Sequence, residues 1–258
     1  MKLKKEKQLI KFIYSEEFAG VEPIVPSSKA LPEWYRHLPA QLTHNSSLEE
    51  IKRGNTIKGC MPVFDAMTQG YTIPLWVDLY VTITYKDSNR DLNPTPIVNF
   101  TWPPDNSKPG PNQYVSTHAW HQTAGVPIME MSLGGSPAFK LQSPWIIETP
   151  KNYSTLFVPI LNNPPKNISF FSAVVATDNY LDKINFPFVW TGEEEWEGLI
   201  PKGTPLIQVI PFKRDDFQHE IIKLNQVDKA KIDNTRQRVQ TSFMNAYKQY
   251  FRRKVSSI

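Results

Sequence analysis

Short apolar runs that end at proline, asparagine, glycine or lysine dominate the chain between Pro144 and Arg214. Examples are SPWIIETPKNYSTLFVPILNNPP, FFSAVVATDNYLDKINFPFVW and EGLIPKGTPLIQVIPFKR. Runs of this length, rich in β-branched and aromatic residues and bounded by turn residues, are typical of buried strands joined by tight loops. The pattern predicts a mostly β fold, built as a single barrel or sandwich.

Upstream of this stretch, the residues from Tyr71 to Tyr85 alternate between two chemical types. One set is aromatic and polar and includes Trp76, Asp78 and Tyr80, whereas the residues between them are aliphatic. Since successive side chains of a strand point to opposite faces, this alternation predicts one long strand. Its aliphatic face would lie in the core and its other face in a cleft, an interface or solvent.

The two ends of the chain differ from this β pattern. Four prolines between residues 23 and 39 prevent a long helix, so the N-terminal segment is predicted to be an irregular clamp across the β domain. Proline and glycine disappear after Asp228, and apolar residues recur at helical spacing with Lys and Arg between them. These are Ile232, Val239, Phe243, Tyr247 and Tyr250. We predict a β domain over residues 1–226 and a basic amphipathic helix over residues 227–258.

Composition narrows the class of protein. The 258 residues are 40% hydrophobic and 21% charged, as in soluble globular proteins, and they include 23 Pro but only 11 Gly. The single cysteine, Cys60, excludes an intramolecular disulfide and a thiolate metal cluster. Lysines interrupt the apolar residues of the N-terminus, and no stretch approaches the roughly 18 apolar residues of a membrane span. We therefore expect a protein without a signal peptide or a membrane span.

Charge is distributed unevenly along the chain, whose net charge is +4. Residues 227–258 contain eight Lys or Arg and two Asp, and residues 1–11 contain five Lys and one Glu, so the middle of the chain is acidic. A basic C-terminal helix could contact nucleic acid, a membrane surface or an acidic protein, or could be a solvated helix face.

A few residues are candidates for chemistry. His118 and His121, three apart around Trp120, could bind a metal if a carboxylate joined them, or could be ordinary hydrogen-bonded histidines. Asp65 lies in an apolar surround that could raise its pKa for acid–base catalysis, or it could be a buried acceptor at a turn. No nucleophile elbow and no glycine-rich phosphate loop occurs in the sequence. No motif assigns a cofactor.

Several aromatic residues could form a binding surface. Trp76 and Tyr80 are ligand-binding candidates because aromatic rings in a groove stack bases or sugars. The alternative is that these rings fill the core, as aromatic residues commonly do in β proteins. The full set is Tyr71, Trp76, Tyr80, Trp102, Tyr114 and Trp120.

Three phrases resemble a family of functionally uncharacterised proteins of tailed phages, notably marine phages, and of some bacteria. They are KGCMPVFDAMTQGYTIPLWVDLYV, PWIIETPKNYSTLFVPILNN and INFPFVW…IPKGTPLIQVIPFKR. The resemblance covers the chain from about Pro26 to Arg214. It implies a phage origin, and a location in the cytoplasm of the bacterial host or in the virion, rather than an activity.

A second, local resemblance is to trimeric dUTPases and dCTP deaminases. AVVATDNY resembles their G-V-I-D-x-D-Y motif, and GLIPKGTPLIQVIPF resembles a later strand of their β-clip barrel. On this match Asp178 and Tyr180 would take the places of the second Asp and the sugar-stacking Tyr, and Gln208 that of a structural Gln. Ala176, however, stands where those dUTPases carry the Asp that orients the attacking water, and the glycine-rich C-terminal arm is missing.

These observations leave two functions open. We expect a non-enzymatic phage-type β protein that acts in assembly or as a binding module, as a homo-oligomer or with a protein partner. The alternative is an enzyme that acts on a nucleotide or small metabolite in a barrel pocket. That enzyme would be either a dUTPase-like scaffold with an altered site or a metal-dependent enzyme on a jelly roll.

Overall fold

The computed structural model describes residues 8–18, 20–46, 50–86, 95–101, 114–193, 196–241 and 247–252. Strands make up most of the regular structure in these ranges, so the predicted mostly β fold is confirmed. The strands are, in chain order, β1 (Lys11–Ile13), β2 (Val25–Pro26), β3 (Gln41–Ser46), β4 (Glu50–Asn55), β5 (Tyr71–Pro74), β6 (Leu79–Lys86), β7 (Thr95–Thr101), β8 (Val115–Thr117), β9 (Phe139–Glu148), β10 (Tyr153–Pro159), β11 (Ile168–Phe170), β12 (Ala173–Val175), β13 (Lys183–Trp190), β14 (Glu197–Ile200) and β15 (Pro205–Lys213).

Helices are few within the same ranges. The α-helices are α1 (Glu33–His37), α2 (Met61–Thr68), α3 (Trp120–Thr123) and α4 (Gln226–Thr241). Short 3-10 turns occur at Glu16–Phe18, Ser27–Lys29, Ile57–Gly59, Pro127–Met131 and Leu133–Gly135, and a π-turn at Tyr247–Phe251. None of the helices that the structure describes is long and apolar enough to cross a membrane.

The described strands pair antiparallel in three sheets and one hairpin. Sheet A has the order β1-β9-β13-β11, with β8 also paired to β9; sheet B has the order β12-β10-β15-β5-β2; sheet C has the order β14-β6-β7. β3 and β4 form a separate hairpin. No sheet of described strands closes on itself into a barrel, and the arrangement is compatible with the sandwich of the two predicted alternatives.

Aromatic residues from all three sheets meet in one hydrophobic core. Phe157 of sheet B packs against Phe186 of sheet A with ring centroids 5.8 Å apart. Phe100 of sheet C lies 4.8 Å from Phe139 and 5.4 Å from Phe188, both in sheet A. Burial of one such side chain contributes about 1.5–3 kcal/mol, so these rings are a main reason that the sheets stay together.

The single long strand predicted from Tyr71 to Tyr85 is wrong. The chain forms β5 in sheet B, leaves it after Pro74, and forms β6 in sheet C. Leu75 pairs instead with a loop, since its N–H donates to Thr204 and its carbonyl accepts from Gly203. Leu75 and Trp76 are both buried, which a continuous strand with one solvent-facing side would not allow.

The described residues group into two compact units. One consists of Met1–Ala30 and Met67–Arg214 and contains sheets A, B and C; the other consists of Leu31–Ala66 and Asp215–Ile258. The second unit contains α1, the β3–β4 hairpin and α4. Spatial grouping does not test which segments fold independently, so the predicted division after residue 226 stays a prediction.

Within the second unit, the described proline-rich segment contains the short helix α1 and no long helix, as its prolines predict. Pro32 takes the position just before α1, where its missing N–H costs nothing. Tyr35 is buried, whereas Trp34 is 42% exposed. The helix predicted for residues 227–258 is confirmed over Gln226–Thr241, and Phe243 lies outside the described residues.

Candidate functional site

An open cleft of about 790 Å³ lies where β9 and β15 end and a turn follows β12. We call it the Asp178 cleft. Seven of its nine lining residues are polar or charged, and they include two acidic and two basic side chains. The lining residues are Glu148, Thr149, Pro150, Lys151, Asn152, Ala176, Asp178, Asn179 and Arg214.

Three buried threonines fix the turns that border the Asp178 cleft. Thr177 Oγ1 lies 2.7 Å from Thr149 Oγ1 and 2.8 Å from Thr155 Oγ1. The backbone N–H of Thr149 also donates to the carbonyl oxygen of Thr177 at 3.2 Å. Because these hydroxyls satisfy one another, they can be buried without the cost of an unpaired polar group. The network joins the turn after β12 to the turn between β9 and β10.

Asp178 is held in a bidentate ion pair with Arg214. Nη1 of Arg214 lies 2.8 Å from Oδ1 of Asp178, and Nη2 lies 2.5 Å from Oδ2. The backbone N–H of Asn152 donates to Oδ2 at 2.8 Å. The planar guanidinium matches a carboxylate in this geometry, and both carboxylate oxygens are therefore occupied.

Arg214 also ties β15 to the start of β10. Its Nη1 donates to the carbonyl oxygen of Tyr153 and to Oγ of Ser154, each at 3.0 Å. Its backbone N–H donates to the carbonyl oxygen of Asn152 at 2.8 Å. Asn152 itself has a φ of 70°, a left-handed conformation that Asn tolerates better than most residues. Arg214 thus organises the wall of the cleft.

This pairing sets the charge of Asp178. The hydrogen bonds from Arg214 hold the pKa of Asp178 well below its ordinary value of 3.8, at about 2. The backbone N–H of Asn152 also lowers this pKa, and the same pairing raises the pKa of Arg214. A general acid or base is most effective with a pKa near the working pH. At neutral pH Asp178 is a fixed anion and does not suit that task.

The lining of the cleft also includes Ala176, Glu148 and Lys151. Ala176 lines it at the place where the dUTPase resemblance puts the water-orienting Asp, and a methyl group accepts no proton. Glu148 is paired with Lys11 at 2.8 Å. Lys151 is exposed and, within the residues that the structure describes, makes no hydrogen bond or ion pair. Its ammonium is the charged group of the cleft that an anion could meet.

The two other residues of the dUTPase resemblance differ from each other in their surroundings. Tyr180 is about half exposed, and its backbone N–H closes the turn after β12 by donating to Ala176 at 2.9 Å. Gln208 is fully buried: its Oε1 accepts from the N–H of Leu161 at 3.1 Å and its Nε2 donates to the carbonyl oxygen of Gln69 at 2.7 Å. Gln208 has the bonding of a structural residue, and it does not line the Asp178 cleft.

The ligand-binding candidates Trp76 and Tyr80 do not share a groove. Trp76 is buried in the core of the sheets. Tyr80 joins β6 to β14, because its hydroxyl donates to Glu197, and this hydrogen bond raises the pKa of Tyr80. Tyr71 is also buried, Trp120 is largely exposed, and Trp102 lies outside the described residues.

The metal candidates have no third ligand in the part of the chain that the structure describes. There, no three His, Cys, Asp or Glu side chains come together as metal ligands would. His118 Nδ1 lies 3.4 Å from the carbonyl oxygen of the next residue, Ala119, and His121 is exposed beside Trp120. The pair lacks the carboxylate that the metal hypothesis requires.

Asp65 forms an ion pair instead of occupying an apolar pocket. Nε of Arg252 lies 3.0 Å from each carboxylate oxygen of Asp65, and Nη2 lies 2.5 Å from Oδ1. The guanidinium of Arg252 also lies 5.5 Å from the ring centre of Phe64. The pair joins α2 to the C-terminal turn within the second unit.

The second candidate site is an exposed segment, residues 215–241, which we call the C-terminal arm. Seven of its large apolar side chains are between 44% and 95% exposed. They are Phe217, Ile221, Ile222, Leu224, Val227, Ile232 and Val239. Single exposed apolar residues are common on proteins, whereas seven in one segment are a feature that needs an explanation.

The helix of the C-terminal arm begins at a well-formed cap. The backbone N–H of Asp228 donates to Oδ1 of Asn225 at 2.8 Å, and Nδ2 of Asn225 donates to Oδ2 of Asp228 at 2.7 Å. The first bond satisfies a backbone donor that the first turn of the helix leaves open, and the second joins the two side chains; an acidic residue there also favours the helix dipole. The arm thus combines a segment without regular structure, residues 215–225, with a capped helix, and both expose apolar side chains.

The signals for these sites differ in the sequence. The helical spacing of Ile232 and Val239 is visible, whereas Phe217, Ile221 and Leu224 fall within residues 1–226, which the sequence predicts to belong to the β domain. Their signal is an apolar content that continues beyond the last strand without strand alternation. Nothing in the sequence marks Arg214 as the partner of Asp178. A scan against protein-family models and a search of curated proteins found no match for the chain.

Proposed function

We propose that the chain is a phage-type β-sandwich protein that acts in assembly as a binding module, with the C-terminal arm as its docking element. The observation that carries this proposal is the exposure of seven large apolar side chains along the arm. Removing such surface from water is worth about 25 cal/mol per Å², so the arm is stabilised when a partner covers it.

The arm's charge favours a protein partner over nucleic acid. Residues 215–241 contain five Lys or Arg and five Asp or Glu, so their net charge is zero. Two of the basic residues are paired within the helix, Lys231 with Asp228 at 3.2 Å and Arg236 with Asp233 at 3.4 Å. Nucleic-acid binding depends on unpaired cations that neutralise phosphates. An apolar, neutral arm suits a protein surface better.

A role without catalysis fits the Asp178 cleft. Its most buried carboxylate is held by Arg214, and Ala176 stands where a proton acceptor would be needed. The resemblance of three long phrases to the uncharacterised phage family supports a phage origin. The cytoplasm of the bacterial host or the virion is the location that follows from this origin.

Cross-linking in cells tests the docking role of the arm. Lys223, Lys229 and Lys231 lie on the arm, and we expect each to give lysine cross-links to another polypeptide, read by mass spectrometry. The double variant Ile221→Ser with Ile222→Ser should lose these links. Leu9→Ser, which changes a similarly exposed apolar residue outside the arm, should keep them. If the links survive the double variant, or if the arm lysines link neither to another protein nor to a second copy of the chain, the proposal is wrong.

A second candidate function is binding of a small anionic ligand, such as a nucleotide, in the Asp178 cleft. It is favoured by Lys151, which lines the cleft together with Asn152 and Asn179. A panel of nucleoside triphosphates should then raise the melting temperature of the wild-type protein, and Lys151→Ala should remove the shift. Release of a product would make the protein an enzyme. An unchanged melting temperature at millimolar concentration of every ligand would exclude binding of these nucleotides.

A further inference from the structure

We infer that the partner of the C-terminal arm is the arm of a second copy of this chain, in an antiparallel arrangement about a two-fold axis. This inference rests on the proposed docking function and specifies its partner. It depends on how charge and apolar residues are distributed along the arm.

The two halves of the arm, residues 215–224 and 229–241, have opposite charge; residues 225–228 between them carry one acid, Asp228. Residues 215–224 contain Asp215, Asp216, Glu220 and Lys223, three acids and one base, a net charge of −2. Residues 229–241 contain four bases and one acid, a net charge of +3; these are Lys229, Lys231, Arg236, Arg238 and Asp233. A parallel pair of arms would place like charges together, which opposes binding, whereas an antiparallel pair places each acidic half beside a basic half.

Both halves also carry apolar side chains that such a pair would cover. The acidic half exposes Phe217, Ile221, Ile222 and Leu224. In the basic half, Ile232 and Val239 are seven residues apart on α4. Residues at this spacing lie on one face of a helix, as in helices that pair along their length. In an antiparallel pair each apolar cluster therefore meets the cluster of the other half.

Two-fold symmetry limits this contact to two chains. Because the same surface is used on both copies, the contact is satisfied by two chains and leaves no free half to recruit a third. The inference therefore predicts a dimer rather than a filament. A different protein as partner would give no reason for the arm's own halves to complement each other in charge.

Charge reversal in the full-length protein tests the arrangement, with sedimentation velocity as the readout. Wild type should be a dimer. The acid-reversed variant, Asp216→Lys with Glu220→Lys, and the base-reversed variant, Arg236→Glu with Arg238→Glu, should each dissociate at least about tenfold more readily, because like charges then face each other. The variant with all four changes should dimerise like wild type. Lys166→Glu, a charge reversal at an exposed position outside the arm, should have no effect.

Cross-links between isotopically distinct copies give an independent measurement on the wild-type protein. In a mixture of ¹⁴N- and ¹⁵N-labelled chains, the antiparallel pair predicts links from Lys223 of one copy to Lys229 or Lys231 of the other. Links from Lys223 to Lys223 would indicate a parallel pair and would overturn the inference. Circular dichroism of each variant checks that α4 still forms.

The outcomes separate the inference from the function on which it rests. A wild-type monomer at every concentration up to about 100 µM overturns self-association. If the arm lysines then still cross-link to another protein in cells, the docking function stands without it. If wild type is a dimer but the variant with all four charge changes does not dimerise like wild type, the antiparallel arrangement is also overturned. A monomer with no arm cross-links in cells rejects both.

Discussion

The Asp178 cleft and the C-terminal arm present opposite kinds of surface. In the cleft, the carboxylate of Asp178 is bonded to Arg214 and Asn152, and the threonines beneath it are bonded to one another. In the arm, polar residues pair locally along the helix, and both these pairs and the apolar side chains are exposed. In the concave cleft, Asp178 and the threonines are hydrogen-bonded within the protein. In the arm, apolar side chains are exposed to solvent.

The difference shows why a resemblance in sequence does not locate the functional surface. The Asp178 region is the part that resembles a nucleotide enzyme. Its hydrogen bonds, however, hold β10, β15 and the turn after β12 together. The arm resembles no motif, yet it carries a run of exposed apolar side chains whose burial would release free energy. The variants below change the sheets that support the cleft, the cleft itself or the arm.

The largest effect is expected from Gly70→Ala, in the turn before β5 of sheet B. Gly70 has a φ of +67°, and a Cβ there would lie 2.1 Å from the carbonyl oxygen of Val209. Backbone must therefore move, and we expect a loss of more than about 3 kcal/mol in the free energy of unfolding, measured by urea denaturation. The Asp178 cleft, which sheet B helps to form, would be lost with it.

Gly203→Ala is the matched control for Gly70. Gly203 has a φ of +87°, but no atom lies within 4 Å of a Cβ built there. The variant therefore tests left-handed strain alone, which costs about 1 kcal/mol. Equal losses for the two variants would show that the close approach of Gly70 to Val209 is not what matters.

The next largest effect is expected from Gln208→Leu. The change keeps an apolar stem in the core but leaves the N–H of Leu161 and the carbonyl oxygen of Gln69 without their partners. Each buried group left unpaired costs about 1–3 kcal/mol, so we expect a loss of roughly 2–4 kcal/mol by urea denaturation. A variant as stable as wild type would contradict a structural role and return Gln208 to the ligand-binding candidates.

The sequence predicts strands better where the apolar runs are short and end at turn residues than where a run appears long. The apolar runs between Pro144 and Arg214 do form strands, because their lengths and turn residues are local properties. The run from Tyr71 to Tyr85 fails because Pro74 lacks an N–H and the chain changes sheets after it. Alternation of residue types cannot show which sheet a strand joins, since that depends on partners distant in sequence.

The candidate site is less predictable for the same reason. Asp178 can be singled out from AVVATDNY, but the bond that sets its charge comes from Arg214, 36 residues later. Asp65 is likewise paired with Arg252, 187 residues away. The apolar local sequence around Asp65 predicts a carboxylate in an apolar surround, and only the structure shows the cation beside it. Local sequence describes a carboxylate's neighbours along the chain, not its partner.

A smaller, pH-dependent effect is expected from Asp178→Asn. Because the folded pKa of Asp178 is about 2, below its ordinary 3.8, the ion pair stabilises the fold fully above about pH 4. That contribution is lost as pH falls from about 4 to about 2. Asp178→Asn removes it, so the free energy of unfolding of the variant should vary less with pH in that window. Parallel curves for the two proteins would contradict the lowered pKa.

The smallest effect on stability, and the sharpest contrast with the cleft, is expected from Ile221→Ser in the arm. Its side chain is 95% exposed, so the change removes almost no burial, and the free energy of unfolding should stay within about 0.5 kcal/mol of wild type at concentrations where the chain is monomeric. Its association should nevertheless weaken, because the exposed side chain is useful only when a partner covers it. If urea denaturation of the monomer showed a loss above 1 kcal/mol, Ile221 would be contributing to the core of its own chain, and the exposed surface of the arm would have to be explained without a partner.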